Sequence, residues 1–316
     1  MDEYEFILED RIAKIRAINE QYDLEHNGYL SFSGGKDSTI LHYLLDIALP
    51  GNKIPRLFLN TGMEWKLMLQ FVRGLAANDD RIIIHNSGVN LKKMLEEKGY
   101  PFKSKQHSKF VNVYQNQLAL GTDGHSKSVK RYLGEIESNT FKCPEKLKYQ
   151  FSPDFKLKIS SLCCDMLKKH PAKDWAKANC RSVSILGTRV GEGGQRSSHV
   201  ECTTFDEGKL TKFKPLNPVS EEWEAEFIKR NNIKLCDLYY PPLNFRRSGC
   251  RNCPYALDLE EQLKITEEFL PTEAAASEAL WKPVYDEYRR IGYRLKKVNP
   301  DRGEQMSIFD IIDEED

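Results

Sequence analysis

Ser33-Gly34-Gly35-Lys36-Asp37-Ser38 gathers two hydroxyls, an ammonium and a carboxylate around a pair of glycines. Glycine lets a backbone turn tightly and approach a ligand without a Cβ in the way. The stretch follows a short apolar run from Gly28 and leads into Ile40, Leu41, Leu44 and Leu45 at helical spacing. A helix starting there offers unpaired N–H groups and the positive end of its dipole to an anion. Ser31, Ser33 and Ser38 bring hydroxyls and Lys36 a full positive charge. Asp37 stands where a Mg2+ ion bridging phosphates would be met. The pattern predicts a phosphate cradle without the G-x-x-x-x-G-K-S/T spacing of the Walker loop. Asn60-Thr61-Gly62-Met63-Glu64 is a second polar turn, which reads equally as a plain strand-to-helix connection and as a nucleotide contact through Thr61 and Gly62.

Two close pairs of thiols come next, Cys163-Cys164 and Cys250-x-x-Cys253. Four thiolates suit a cubane iron–sulfur cluster or tetrahedral zinc, whereas a lone C-x-x-C is equally a redox pair. Lys168 follows the first pair by one helical turn, within reach of an anion. Arg189 and Arg196 carry planar, always-charged donors that fit phosphate or sulfate, or serve as structural ion-pair partners. Cys143, Cys180, Cys202 and Cys236 have no sequence partner and read as small inert residues. His107, His125 and His170 lack ligand spacing and read as surface residues.

These residues need elements to hold them. Residues 3–23 carry Phe6, Ile7, Ile12, Ile15 and Ile18 among charges, an amphipathic helix placed ahead of the first strand. Arg56–Asn60 and Arg81–His85 read as strands, Trp65–Leu75 and Leu91–Lys98 as helices. Strands alternating with helices predict an α/β fold, a doubly wound parallel sheet of the Rossmann-like kind, with ligands beyond the carboxyl ends of its strands. The expected organisation is an N-terminal helix over 1–24, a nucleotide-binding domain over 25–245 with an insertion at 100–155, and a smaller C-terminal helical region over 246–295. An acidic, disordered tail over 296–316 closes the chain. The insertion is polar, Lys-rich and weakly periodic, and reads as short helices covering the crevice. In the C-terminal region Leu257–Phe269 and Glu273–Ile291 read as helices, the second interrupted near Pro283.

Net charge over 316 residues is zero, so the whole chain makes no electrostatic case for nucleic acid. Charge is uneven: ten Lys/Arg against four Asp/Glu from Lys142 to Arg181, and one Arg against seven acids from Asp301 to Asp316. The acidic N-terminus lacks a signal peptide's basic start and apolar stretch, and no segment is apolar enough to span a bilayer. The expected location is the cytoplasm, where eight cysteines are reduced thiols, ligands or reactive groups rather than a disulfide framework.

Ser33 to Ser38 resembles the PP-loop of the ATP pyrophosphatases, S-G-G-x-D-S, which cleave ATP between its α- and β-phosphates and adenylate a substrate oxygen. The turn at Asn60 resembles the D-T-G-x-x-F/Y turn of the phosphoadenosine-phosphosulfate (PAPS) reductase branch, with Asn60 in place of Asp. Cys163-Cys164 through Lys168 is similar to that branch's C-C-x-x-x-K segment. Gly187-Thr188-Arg189 to Arg196 is similar to its G-x-R-x-x-E-S-x-x-R, with Gly193 replacing the serine beside Glu192. Lys214-Pro215-Leu216, Trp223, Leu238-Tyr239-Tyr240 and Arg246-Arg247-Ser248-Gly249-Cys250-x-x-Cys253-Pro254 resemble its P-L-x-x-W … Y … R-x-G-C-x-x-C-P order, with a longer spacing to Trp223. The resemblance covers residues 25–260. It implies ATP and Mg2+ at the cradle and a 4Fe-4S cluster, in preference to zinc, on Cys163, Cys164, Cys250 and Cys253.

Reductases of this branch use a cysteine in a C-terminal E-C-G-L/I-H tail and a modified loop. Here the last cysteine is Cys253 and Ser33–Ser38 is intact. The chain therefore looks more like sulfur-inserting members, such as the ATP-cleaving subunit of DNA phosphorothioation systems and cluster-dependent tRNA thiolases. The expected function is ATP cleavage to AMP and pyrophosphate, adenylating a substrate for sulfur transfer in DNA or RNA modification. A PAPS or adenylyl-sulfate reductase and a cluster-bearing DNA-associated sensor are the alternatives. Gln305-Met306-Ser307-Ile308-Phe309 resembles the Q-L-S/D-L-F peptide with which bacterial proteins dock on the DNA sliding clamp, Gln305, Met306, Ile308 and Phe309 being the contact residues implied. A small helix packed on the body is the competing reading.

Overall fold

In chain order, helices α1 (Glu3–Tyr22) and α2 (Leu24–Asn27) lead into strand β1 (Gly28–Ser31) and α3 (Lys36–Ala48). Strand β2 (Arg56–Asn60), α4 (Lys66–Ala76), β3 (Ile82–Asn86) and α5 (Leu91–Lys98) follow. Next come α6 (Lys105–Ala119), α7 (Lys127–Leu133), a π-helical turn at Asp165–Lys169 and α8 (His170–Ala178). The chain finishes with β4 (Val183–Ile185), β5 (Thr203–Asp206), β6 (Lys209–Phe213), α9 (Glu221–Arg230), α10 (Leu259–Phe269) and α11 (Pro271–Ile291). This computed structural model describes residues 2–139, 141–189 and 201–296. Glu192, Gly193 and Arg196 lie outside the described residues, as do Gln305, Met306, Ile308 and Phe309 of the expected docking peptide.

The chain divides into two units, each built from two stretches: Met1–Gly88 with Lys168–Ser248, and Val89–Leu167 with Gly249–Asp316. In the first, the described strands form one sheet in the order β3-β2-β1-β4-β6-β5. Strand β1 pairs in parallel with β2, Leu30 opposite Arg56, and with β4, Gly28 opposite Val183. Only the β5–β6 pair among them is antiparallel. The order reverses between β1 and β4, the switch point of a doubly wound α/β sheet, where the loops after the two strands part and leave a crevice. The fold class expected from the sequence is therefore the one observed.

Alternation along β1 sends Tyr29 and Leu30 to opposite faces. Tyr29 meets Trp175 of α8 edge-on, ring centroids 5.6 Å apart, in a cluster with Leu57 and Ala176. In α3, Ile40, Leu41, Leu44, Leu45 and Ala48 are all buried. Its far end is tied by charge: Asp46 lies 2.7 Å from both Arg56 of β2 and Arg81, and Arg56 is fully buried. Beside them His42 is pushed down to about 4, by burial first and the Arg56 charge second.

The second unit has its own core, with Val111 and Tyr114 of α6, Tyr132 of α7, Phe151, and Tyr285 and Tyr288 of α11 buried in it. Residues 100–155 thus include a 15-residue helix and a packed interior. His107 is fully buried rather than at the surface. Its ring donates to Gln150 Oε1 at 2.8 Å and accepts from the Tyr132 hydroxyl at 3.0 Å, and burial pushes its pKa down to about 4. Those partners stand 43 and 25 positions away, so no local pattern announced the pocket. The break expected near Pro283 is also absent, since α11 runs unbroken from Pro271 to Ile291 with Trp281, Val284 and Tyr285 buried on either side of the proline. Among the described residues no helix is long and apolar enough to cross a membrane.

Candidate active site

The loop after β1 starts from Ser31, whose hydroxyl lies 2.9 Å from Ser184 on β4. Gly34 has φ +70°, and an added Cβ would meet Met68 Sδ at 2.5 Å and Val72 Cγ2 at 2.7 Å. Helix α4 therefore demands glycine here on both counts, conformation and space. Ser38 donates to the Gly35 carbonyl at 3.0 Å and accepts from the Ser33 N–H at 3.2 Å. The Gly35 N–H reaches Ser33 Oγ at 3.3 Å, and the Lys36 N–H donates to the Tyr239 hydroxyl at 3.1 Å. Tyr239 donates its own O–H to Ser248 Oγ at 2.7 Å, and burial raises its pKa.

The loop after β4 presses on the same helix start. A Cβ at Gly187 would sit 2.9 Å from the Asp37 carbonyl and 3.0 Å from the Ser38 nitrogen, so only glycine permits that approach. Two residues on, Arg189 is 3% exposed. Its Nε lies 3.0 Å from Glu224 Oε1 and its Nη2 3.2 Å from Glu221 Oε1. Lys36 Nζ lies 3.3 Å from the other oxygen of Glu224. The structure thus brings Lys36, Asp37 and Arg189 together around a carboxylate the sequence reading missed. Glu224 is fully buried on α9, and its pKa is raised to about 7, by burial first and by Asp37 second, against the pull of Arg189 and Lys36. Neither Glu224 oxygen nor Arg189 Nε finds a strictly aligned hydrogen bond among the described residues, although Lys36 acts on the carboxylate through a hydrogen bond as well as through charge. A signal was present in Trp223 and Phe227, whose burial in α9 carries Glu224 inward with them.

The turn after β2 has a local job. Thr61 donates through its N–H and its hydroxyl to Glu64, each at 2.8 Å, and Gly62 holds φ +78° with open space around it. Lys168 lies half-buried in the π-helical turn. Such turns recur at functional sites because they widen the helix locally.

All four cysteines of the two pairs belong to the second unit. Cys163 and Cys164 open the helical turn before Asp165, and the Cys253 N–H donates to the Cys250 carbonyl at 3.2 Å, closing the C-x-x-C turn. Helices α10 and α11 support that turn: Thr266 Oγ1 bonds Asn252 Oδ1 at 3.1 Å, Trp281 Nε1 donates to the Arg251 carbonyl at 3.3 Å, and Tyr285 donates to the Asn252 carbonyl. The Cys253 thiol is raised well above its ordinary value by burial first, then by Cys250, Cys164 and Cys163. Four thiols that repel one another as anions form a donor set that a thiophilic cation would relieve, and the Tyr255 N–H already faces the Cys253 sulfur. Chemically the set fits a 4Fe-4S cluster or zinc. Among the described residues, however, no group of three or more His, Cys, Asp or Glu is arranged to hold a metal ion as it stands.

The phosphoadenosine phosphosulfate reductase domain model matches residues 27–123 and 122–256. An uncharacterised protein of Methanocaldococcus jannaschii is 31% identical over 263 residues, 79% of this chain and 49% of that protein. The chain thus spans about half the length of this curated relative. Among solved structures, PAPS reductase from Candida auris in a phosphate complex is 13% identical, covering 75% of this chain and 87% of that one at TM-score 0.41. The U34-tRNA thiolase of Methanococcus maripaludis with its 4Fe-4S cluster is 14% identical, covering 92% and 80% at TM-score 0.37. Likenesses this distant say nothing of ligand or reaction here. The family match, spanning the cradle, the arginine loop and both cysteine pairs, does decide membership: this chain belongs to the phosphoadenosine phosphosulfate reductase domain family.

Proposed function

We propose that the cradle binds ATP with Mg2+ and cleaves it to AMP and pyrophosphate, adenylating a substrate oxygen in preparation for sulfur transfer. The observation that carries this reading is the meeting of Lys36 and Arg189, from the loops after β1 and β4, at 3.3 and 3.0 Å from one carboxylate at the switch point of the sheet. Lys36 and the N–H groups at the start of α3 hold the departing pyrophosphate, while Arg189 faces the charge that builds on the phosphates. The substrate oxygen forms its bond to the α-phosphorus as the α–β bridging bond breaks, its electron pair leaving on pyrophosphate. Adenylate is then displaced by a sulfur nucleophile. Asp37 would hold Mg2+, which lends charge neutralisation to the phosphates. Cys163, Cys164, Cys250 and Cys253 would hold the 4Fe-4S cluster, which supplies a place for sulfur when bound.

The acceptor class we favour is nucleic acid, with Gln305, Met306, Ile308 and Phe309 docking the chain on a sliding clamp beside it. Exchange of labelled pyrophosphate into ATP, run with candidate DNA and RNA acceptors, tests the core of this reading. Lys36→Ala should abolish the exchange, and release of ADP with orthophosphate would overturn the assignment. A reductase would instead release sulfite from PAPS, and a sensor would release no pyrophosphate. For the docking peptide, Phe309→Ala should lose capture by purified clamp, and equal capture removes that idea.

A further inference from the structure

We infer that Glu224 is a built-in anion of the cradle, holding Lys36 and Arg189 until a phosphate takes its place. The inference rests on the reading that this cradle takes nucleotide phosphates, and it adds what the phosphates must displace. Glu224 is fully buried, yet its oxygens lie 3.3 Å from Lys36 Nζ and 3.0 Å from Arg189 Nε, and among the described residues neither contact is strictly aligned as a hydrogen bond. A carboxylate held by imperfectly aligned contacts is exchangeable. A phosphate offers more oxygens and more charge, and it can align with the planar fork of arginine as this carboxylate does not. The loop's own donors show the same provision, because the N–H group of Gly35 rests on the hydroxyl of Ser33, which can rotate away.

The charges around Glu224 set its response to an incoming anion. Lys36 and Asp37 face it from α3, Arg189 from the loop after β4, and Glu221 shares Arg189 from one turn earlier on α9. Among the described residues, Lys36 and Arg189 attract it and Asp37 repels it. An arriving anion adds to the repelling side and takes the two cations, so the Glu224 carboxylate is left buried and uncompensated unless it gains a proton. Its proton affinity, already raised by burial and Asp37, makes that uptake accessible near neutral pH. Linkage makes the effect reciprocal: whatever factor the anion adds to proton affinity, the proton adds to anion affinity.

Calorimetric titration of the full chain with inorganic pyrophosphate, without Mg2+, at pH 6 and pH 8 tests this on wild type and Glu224→Gln. At pH 8 the variant should bind about tenfold more tightly, within the ordinary range of coupling between sites. At pH 6 the gap should narrow. Sulfate, which does not titrate near neutrality, gives the proton count: wild type should take up a proton on binding, seen as a dependence of the heat on buffer ionisation. That arm needs no variant, and absence of uptake between pH 7 and 8 overturns the inference. A carboxylate that merely anchors the two cations predicts the opposite sign, with weaker binding by Glu224→Gln at both pH values. Binding by wild type with no gain in the variant overturns the inference and leaves the cradle reading intact. No pyrophosphate binding by either protein overturns both.

Discussion

At the scale of single residues, Ser33 to Ser38 could be read from the sequence because a cradle is a local device whose parts adjoin in the chain. Glu224 could not, since it meets Lys36 from 188 positions away and joins Arg189 only through folding (224 − 36). Gly34 shows how tightly the local part is specified. Its φ of +70° and the 2.5 Å approach of Met68 Sδ predict that Gly34→Ala destabilises the chain by about 1–3 kcal/mol, read from urea unfolding. Glu224 predicts a pH effect. In the folded chain it keeps its proton up to about pH 7, in the unfolded chain only to about 4.5. The folded state therefore binds more protons in that window, and this group's contribution to stability, complete below 4.5, is lost as pH rises through about 7. Urea midpoints at pH 5 and pH 8 should differ less in Glu224→Gln than in wild type.

Among elements, the strongly patterned ones were legible. Strand β2 and helix α5 lie where their apolar runs put them, bounded by Asn60 and by Gly99. The β5–β6 hairpin escaped because Thr203 to Phe213 is only modestly apolar. Its turn was nonetheless written in Glu207-Gly208, both at positive φ, +47° and +76°. The continuity of α11 through Pro283 reflects tertiary burial overriding a local breaker. The tie between α3 and its strands was equally hidden, since Asp46, Arg56 and Arg81 look like scattered surface charges in the sequence. Asp46→Ala leaves the buried Arg56 guanidinium without its paired carboxylate, with only the more distant charge of Asp79 in support, and should cost about 3–5 kcal/mol, measured by denaturant unfolding.

On the scale of the whole molecule, the doubly wound sheet was legible from the alternation of strands and helices. The partition of the chain was not, because contacts between residues 89–167 and 249–296 leave no periodic trace. The four cysteines fall within that partition. Anaerobic purification should yield about four irons and four sulfides per chain, and Cys253→Ser should lower both; stoichiometric zinc without iron would favour the tetrahedral alternative. The threading of the chain also has a practical side. Neither unit is a continuous length of polypeptide, so no single cleavage frees one intact, and a truncation series from either end should produce aggregating fragments. A separable nucleotide-binding half would have to be spliced, with Gly88 joined to Lys168 and synthesis stopped after Ser248.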